Sequence, residues 1–366
     1  MSDWPLNLAG FESAARDRLP QMVYDYYAGG ALDEITLRAN RDAYDEIALR
    51  YRVLVDVSRR SLATGIFGRS LATPILFAPT AFHRLACEEG EMATVRAAKE
   101  LGTLMVLSSL STVPMEQVIA EYEHVWFQLY VYRDRGLTRE LVARAEAAGA
   151  AAIVLTVDAQ IWGRRERDVR NQFHLPQGIS VANALPGGYG DMPEREGDSG
   201  LAAYVNSLFD PALSWEDIAW LKSVTSLPVL LKGIVHPDDA RLAVEHGVDG
   251  VMVSNHGGRQ LDGSRTPFDQ LAEIVDAVGD KIDVICDGGI QRGTHVLKAL
   301  SVGAKACSGG RLYLYALAAA GQAGVEKTLS NFRAEIERGM KLMGARSVAD
   351  LGRDNLRYRV PPTGAA

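Results

Sequence analysis

From about residue 74 the chain repeats one theme: a short apolar run followed by a segment with helical spacing. There are eight such runs: PILFAP (Pro74 to Pro79), LMVLSS (Leu104 to Ser109), VWFQLY (Val125 to Tyr130), AAIVLTVD (Ala151 to Asp158), LPVLLKG (Leu227 to Gly233), GVMVSNH (Gly250 to His256), DVICDGG (Asp283 to Gly289) and AKACSGGR (Ala304 to Arg311). Continuous hydrophobicity of this kind suits strands buried on both faces of a parallel sheet. Between the runs lie amphipathic segments such as EGEMATVRAAKELG and HPDDARLAVEHGV, each ending in a glycine or small residue before the next strand. Eight strand and helix alternations predict an α/β fold of the (β/α)8, or TIM barrel, type.

The departures from this rhythm predict the organisation of one domain over residues 1–366. Residues 1–70, with the helical stretch FESAARDRLPQMVYDYYAGGA and a polar lead-in ending in RRSLATGIFGRS, form an N-terminal cap on the barrel rather than a strand unit. The barrel occupies 74–325, and 326–366 supply a C-terminal helix and tail. A long loop over 163–211, rich in Gly, Pro and polar residues, follows the fourth strand and is expected over the barrel mouth as a lid.

Composition narrows the function. The 39 basic and 46 acidic residues, net −7, are dispersed without the basic block that tracks a phosphate backbone, which argues against a nucleic-acid partner. No apolar run has the length of a membrane span and the N-terminus lacks a signal-peptide layout, so a soluble cytoplasmic protein is expected. Three scattered cysteines, Cys87, Cys286 and Cys307, read as buried reduced thiols with no metal-ligand spacing.

Nearly every apolar run ends in a polar residue: Thr80, Ser108, Gln128 and Tyr130, Thr156 and Asp158, Lys232, Ser254 and His256, Asp287, and Arg311. A barrel gathers those ends on its C-terminal face, where this fold builds its active sites. The last two strands run into the glycine-rich turns DGGIQRG and SGGR, whose backbone N–H groups and helix N-termini suit a phosphate.

SNHGGRQLDG, preceded by LPVLLKG and followed by DGGIQRG, resembles the signature of the FMN-dependent (S)-2-hydroxy acid oxidases and dehydrogenases. The likeness extends through LPQMVYDYYAGGALDEITL, FAPTA, FQLYVYRDRG, LTVD with GRRERDVRN, and GDSGL, and so covers nearly the whole chain. It implies FMN across the barrel mouth with a hydroxy acid stacked over its ring. Carried over residue by residue, it makes His256 the catalytic base and Asp158 the carboxylate that steadies the imidazole. Arg259 and Arg165 become a clamp for the substrate carboxylate, Tyr26 a further donor to it, and Tyr130 a partner of the reacting oxygen. For the cofactor, Lys232 approaches N1 and O2 of the flavin; Pro79, Thr80 and Ala81 line the ring near N5; and Ser108, Gln128, Thr156 and Ser254 supply hydrogen bonds. Asp287 binds the ribityl hydroxyls, and Gly288, Gly289, Gln291, Gly310 and Arg311 surround the phosphate. No metal is expected.

Three departures from the family pattern stand out. Gln291 occupies a position where an arginine is usual, so one phosphate cation is missing. TVDAQIWGRR replaces the commoner TVDTPRLGRR, which places Trp162 where a smaller aliphatic residue often lines the substrate pocket, and Leu110 stands where glycolate oxidase has tryptophan. The expected activity is oxidation of an (S)-2-hydroxy acid of the lactate, mandelate or glycolate type to the 2-oxo acid. Dioxygen is the expected acceptor, giving hydrogen peroxide; a quinone or protein acceptor and a nonredox FMN-barrel isomerase are the alternatives. The resemblance further implies a homo-oligomer, a tetramer or octamer.

Overall fold

The computed structural model describes residues 4–183 and 199–359. Eight parallel strands close into a barrel in sequential order: β1 (Ile75–Phe77), β2 (Met105–Leu107), β3 (Val125–Leu129), β4 (Ile153–Thr156), β5 (Val229–Ile234), β6 (Gly250–Val253), β7 (Asp283–Asp287) and β8 (Ala306–Gly309). β8 pairs with β1 through Cys307 and Ile75 to complete the ring. All eight expected runs form the barrel.

The apolar runs carry a hidden alternation. One set of side chains, including Ile75, Phe127, Leu155, Leu231 and Val251, packs outward into the large core shared with the helices. The intervening set, Leu76, Val106, Trp126, Val154, Leu230, Met252, Ile285 and Ala306, forms a separate cluster inside the barrel. Two residues further along each strand, the same inward column turns polar in most strands: Ser108, Gln128, Thr156, Lys232, Ser254, Asp287 and Ser308. Strand geometry repeats every second residue, so one column of each strand is apolar at the bottom and polar at the top. That switch builds the site.

The residues preceding the barrel divide between its two ends. Helices α1 (Leu8–Arg18), α2 (Gln21–Ala28) and α3 (Ile35–Asp42) lie against the mouth, where the backbone N–H of Ala31 donates to the Gly258 carbonyl at 2.9 Å. Thr64–Ile66 and Arg69–Leu71 instead pair as an antiparallel hairpin. Ile66 and Leu71 join the inner cluster with Trp126 and Leu76, and Phe67 donates its N–H to the Asp283 carboxylate at the start of β7. The expected cap therefore includes a plug for the opposite, N-terminal end of the barrel. Past the barrel, the helix Arg311–Met343 breaks at Ala320 and Gly321, and Leu356–Tyr358 returns to pair with Ile47–Leu49.

Part of the loop expected over the mouth, 184–198, lies outside the described residues. On either side of it, the helices Glu166–Arg170 and Gly200–Leu208 form, and Asn183 is buried with its amide donating to the Ser111 hydroxyl at 2.7 Å. Among the described residues, no helix is long and apolar enough to cross a membrane. Cys286 and Cys307 are buried free thiols as expected; Cys87 departs from that reading and is only partly buried.

Candidate active site

A cavity of about 460 Å³ opens at the C-terminal ends of the strands. It brings together Tyr26, Pro79, Thr80, Ala81, Ser108, Gln128, Tyr130, Thr156, Arg165, Lys232, His256, Arg259, Asp287, Gly288, Gly289, Gln291, Gly310 and Arg311. Asp158 and Ser254 stand just behind its wall.

His256 and Asp158 form the centre of one end. The Nδ1 of His256 is 2.8 Å from Oδ1 of Asp158, an arrangement that places the imidazole proton on Nδ1 and leaves Nε2 as the free lone pair. Burial pushes the imidazole below its usual range; Asp158 opposes that shift, and Lys232 reinforces it. Burial alone would raise the Asp158 carboxyl, but His256 and Lys232 outweigh it and hold the carboxylate ionised. His256 itself adopts φ of 58°, a left-handed conformation that a side-chain-bearing residue rarely occupies.

The SNHGGRQLDG stretch is a hub. The Gln260 amide donates to the carbonyls of Asp158 and Ile161 at 2.6 and 2.9 Å, which fixes the loop after β4. Asp262 accepts the N–H groups of Ile35 and Thr36 at 3.3 and 2.8 Å and so secures the start of α3. Gly233, in the irregularity of β5, has φ of 113°, and a Cβ there would fall 2.6 Å from that of Asp158. Only glycine lets β5 pass so close to the carboxylate.

Arg165 and Arg259 lie side by side. The Arg259 guanidinium donates to the carbonyls of Tyr26 and Gly29 at 2.6 and 2.9 Å and stands 5.0 Å from the centre of the Tyr26 ring. Arg165 is buried, with its guanidinium 3.9 Å from the Trp162 ring centre. Burial and the neighbouring Arg259 push Arg165 down to about 9. Tyr26 stacks on Phe173 at 4.2 Å and Tyr130 on Phe209 at 4.4 Å, and burial raises the pKa of both phenols.

The sequence pattern did not single out Asp168. It is buried on the short helix after Arg165, its carboxyl is raised by burial, and Arg259 and Arg165 counter that shift. A carboxylate three residues after Arg165 could have been noticed as a neighbour on one helical turn.

Along the cavity floor the polar groups are chained. Gln128 accepts from the Ser108 hydroxyl at 3.3 Å and donates to Thr156 at 3.0 Å. Lys232 reaches Asp287 at 3.3 Å and the Ser254 hydroxyl at 3.1 Å, and Asp287 accepts from Ser254 and Ser308 at 2.7 and 2.6 Å. Ser254 therefore departs from its expected place: it braces Lys232 and Asp287 from beneath instead of lining the cavity. The Thr80 hydroxyl also turns back into the protein, to His83 at 2.7 Å and to Tyr313.

The opposite end is a backbone cradle. Gly289 has φ of 71°, and a Cβ there would lie 1.9 Å from the Asn40 carbonyl oxygen. Arg311 donates to the carbonyls of Tyr27, Gly29 and Gly257 at 2.9, 2.8 and 3.0 Å. Among the described residues that line the cavity, Arg38, Arg41, Arg165, Lys232, Arg259 and Arg311 face Glu12, Asp42 and Asp287, six cations against three acids. Such a lining fits anionic ligands, and the glycine turn fits a phosphate brought close to backbone.

Comparison with known proteins gives the class. Residues 15–358 match the FMN-dependent dehydrogenase family, and the chain belongs to it. It is an oxidoreductase with FMN as cofactor, and the cradle, the cations and the polar floor described above suit that group. The chain is 49% identical over 352 residues to L-lactate oxidase of Nostoc sp., covering 95% of this chain and 96% of that one. It is 47% identical to glycolate oxidase 3 of Arabidopsis thaliana, covering 96% and 95%. Among solved structures, mandelate oxidase with (S)-4-hydroxymandelic acid superposes with a TM-score of 0.92 at 43% identity, covering 96% of this chain and 98% of that one.

Proposed function

We propose that this FMN-dependent 2-hydroxy acid oxidase takes an (S)-2-hydroxy acid of the lactate, mandelate or glycolate type, seats its carboxylate between Arg165 and Arg259, and releases the 2-oxo acid. The observation that carries the reading is the oriented His256–Asp158 pair, 2.8 Å apart, beside the buried Arg165 and the neighbouring Arg259 guanidinium groups. A bifunctional substrate, anionic at one end and losing a proton at the next carbon or its hydroxyl, uses both features together. An isomerase acting on neither group leaves the arginine pair without a purpose.

Bound FMN supplies the two-electron acceptor. The protein residues supply position and proton transfer. Arg165 and Arg259, with the Tyr26 hydroxyl, fix the carboxylate and thereby the face of the substrate presented. Asp158 keeps His256 in the tautomer whose Nε2 takes one of the two protons the substrate loses. The carboxylate then steadies the resulting imidazolium. Tyr130 donates to the oxygen that becomes the new carbonyl. Lys232 places a fixed positive charge where negative charge gathers during the oxidation, and Asp287 with Ser254 holds that lysine in place.

Dioxygen is the acceptor in this reading: it takes the two electrons and two protons and leaves as hydrogen peroxide. Trp162 and Leu110 border the substrate end and set the size of the side chain admitted. The reading includes a cytoplasmic homo-oligomer of four or eight chains, which sedimentation of the purified protein and fractionation of its source check.

The test is anaerobic mixing with L-lactate, (S)-mandelate and glycolate, followed by air. Bleaching of the flavin by at least one of them, and reoxidation with peroxide release as fast as turnover, is the expected result. Bleaching by none sinks the substrate class; reoxidation far slower than turnover with a dye or quinone replaces dioxygen as acceptor.

A further inference from the structure

The phosphate end of the cavity has a cation that comes from outside the barrel. In DGGIQRG, Gln291 lines the cavity, but Arg292 turns away to Glu335 at 2.9 Å. Arg311 directs Nε and both terminal nitrogens to backbone carbonyls. The barrel thus brings one arginine to this end, and that arginine is already heavily engaged.

Helix α3 closes the same end from above. The Asn40 carbonyl lies directly over Gly289, close enough that no Cβ fits there, and the next residue, Arg41, lines the cavity with Gln291. Among the described residues, the Arg41 guanidinium has no ion pair or hydrogen bond; Arg38, one turn earlier, donates to the Asp33 carbonyl at 3.0 Å. Asp42 and Glu12 share this rim. Adjacent helical residues such as Arg41 and Asp42 diverge by about 100° around the axis and do not pair, while Glu12 accepts from the Tyr24 hydroxyl at 3.2 Å.

His295 stands at the same turn. That imidazole touches both the Gly289 carbonyl and the Gln291 N–H at 3.3 Å, so it marks the turn itself. Burial pushes it down to about 4, with the positive charges of Lys298 and Arg41 adding to the effect.

We propose that Arg41, carried by the N-terminal cap, is the second phosphate cation of the FMN site and replaces the one absent at Gln291. The proposal rests on the reading of this cavity as the FMN site and adds a residue to it. Its consequence is that the cap is part of the cofactor site: holding FMN ties α3 to the turn after β7.

Riboflavin, identical to FMN but without the phosphate, separates a phosphate contact from a general packing effect. Flavin binding to the stripped full-length chain is followed by quenching of flavin fluorescence, and loss of flavin from the holoenzyme by its recovery. Arg41→Ala should weaken FMN about tenfold or more, the range for a hydrogen bond to a charged group, and change riboflavin less than about twofold. Gln291→Arg in the Arg41→Ala background should restore FMN affinity, since it returns a cation to the same turn. Unchanged FMN affinity in Arg41→Ala overturns the proposal, as does an equal loss of FMN and riboflavin. A wild-type chain that binds neither flavin overturns instead the reading of the cavity on which the proposal stands.

Discussion

The two ends of the barrel are made from the same eight strands and face opposite demands. At the N-terminal end the inward column is Leu76, Val106, Trp126, Val154, Leu230, Met252, Ile285 and Ala306, sealed by Ile66 and Leu71 of the hairpin. Beyond that column, the C-terminal end holds a buried lysine against an aspartate, a partly buried histidine in a left-handed backbone and two arginines side by side. The first end lowers free energy by removing apolar surface from water. The second forgoes that gain to hold charges ready for a ligand. Substitutions at the two ends should therefore separate turnover from stability.

The largest effect on turnover belongs to the pair at the mouth. His256→Ala should slow flavin reduction at saturating substrate by at least ~100-fold while FMN stays bound. Asp158→Asn should slow it by ~10²–10⁴-fold, because the amide no longer fixes the imidazole tautomer or steadies its charge. Stopped-flow reduction of the flavin checks both. Near-wild-type rates in His256→Ala would show that the base lies elsewhere.

Gly289→Ala should act next most strongly, on cofactor retention rather than on chemistry. Its Cβ would meet the Asn40 carbonyl, and its φ of 71° is strained for alanine. Backbone strain of about 1–3 kcal/mol corresponds to roughly 5- to 150-fold in affinity. Gel filtration should strip much of the FMN, and turnover per remaining flavin should stay close to wild type. A fall in turnover per flavin would mean that the cradle also positions the ring.

A pH profile sharpens the comparison without a substitution. His256 works as a base only when neutral, and its environment places its pKa below the ordinary ~6.5. kcat/KM should be level near neutrality and fall about tenfold per pH unit once the pH drops below that value. A midpoint at or above 7 would contradict the burial that sets it.

The barrel and the reacting end were legible in sequence for a common reason. Buried parallel strands leave uninterrupted apolar runs, and groups that do chemistry at strand ends interrupt them with residues such as Lys232 and Asp287 that have no other place in a core. Asp168 and Arg41 left no such mark, since a lone charge on an amphipathic helix reads as solvated surface until the fold buries it, as at Asp168, or sets it on a cavity rim, as at Arg41. The division of residues 1–70 was hidden for another reason. ATGIFGRSL has the apolar content of a lid, and nothing local encodes which end of a barrel a hairpin reaches. Only its pairing and its contacts with the first residues of the strands decide that.

Ile66→Ala tests the floor, and its predicted effect on turnover is the smallest. Ile66 is almost wholly buried in the hairpin, within the same cluster as Trp126 and Leu76. Truncation removes apolar contacts and leaves a cavity that closely packed strands can only partly fill, a loss of about 2–5 kcal/mol of stability. The inner cluster separates it from the site, so kcat/KM and FMN retention below the unfolding transition should match wild type. Thermal unfolding of the holoenzyme alongside steady-state kinetics at 25 °C checks both halves. If Ile66→Ala leaves stability intact, the hairpin is an ornament. If it lowers turnover in proportion to stability, the barrel transmits packing at its floor to the geometry of His256, and the two ends are not independent.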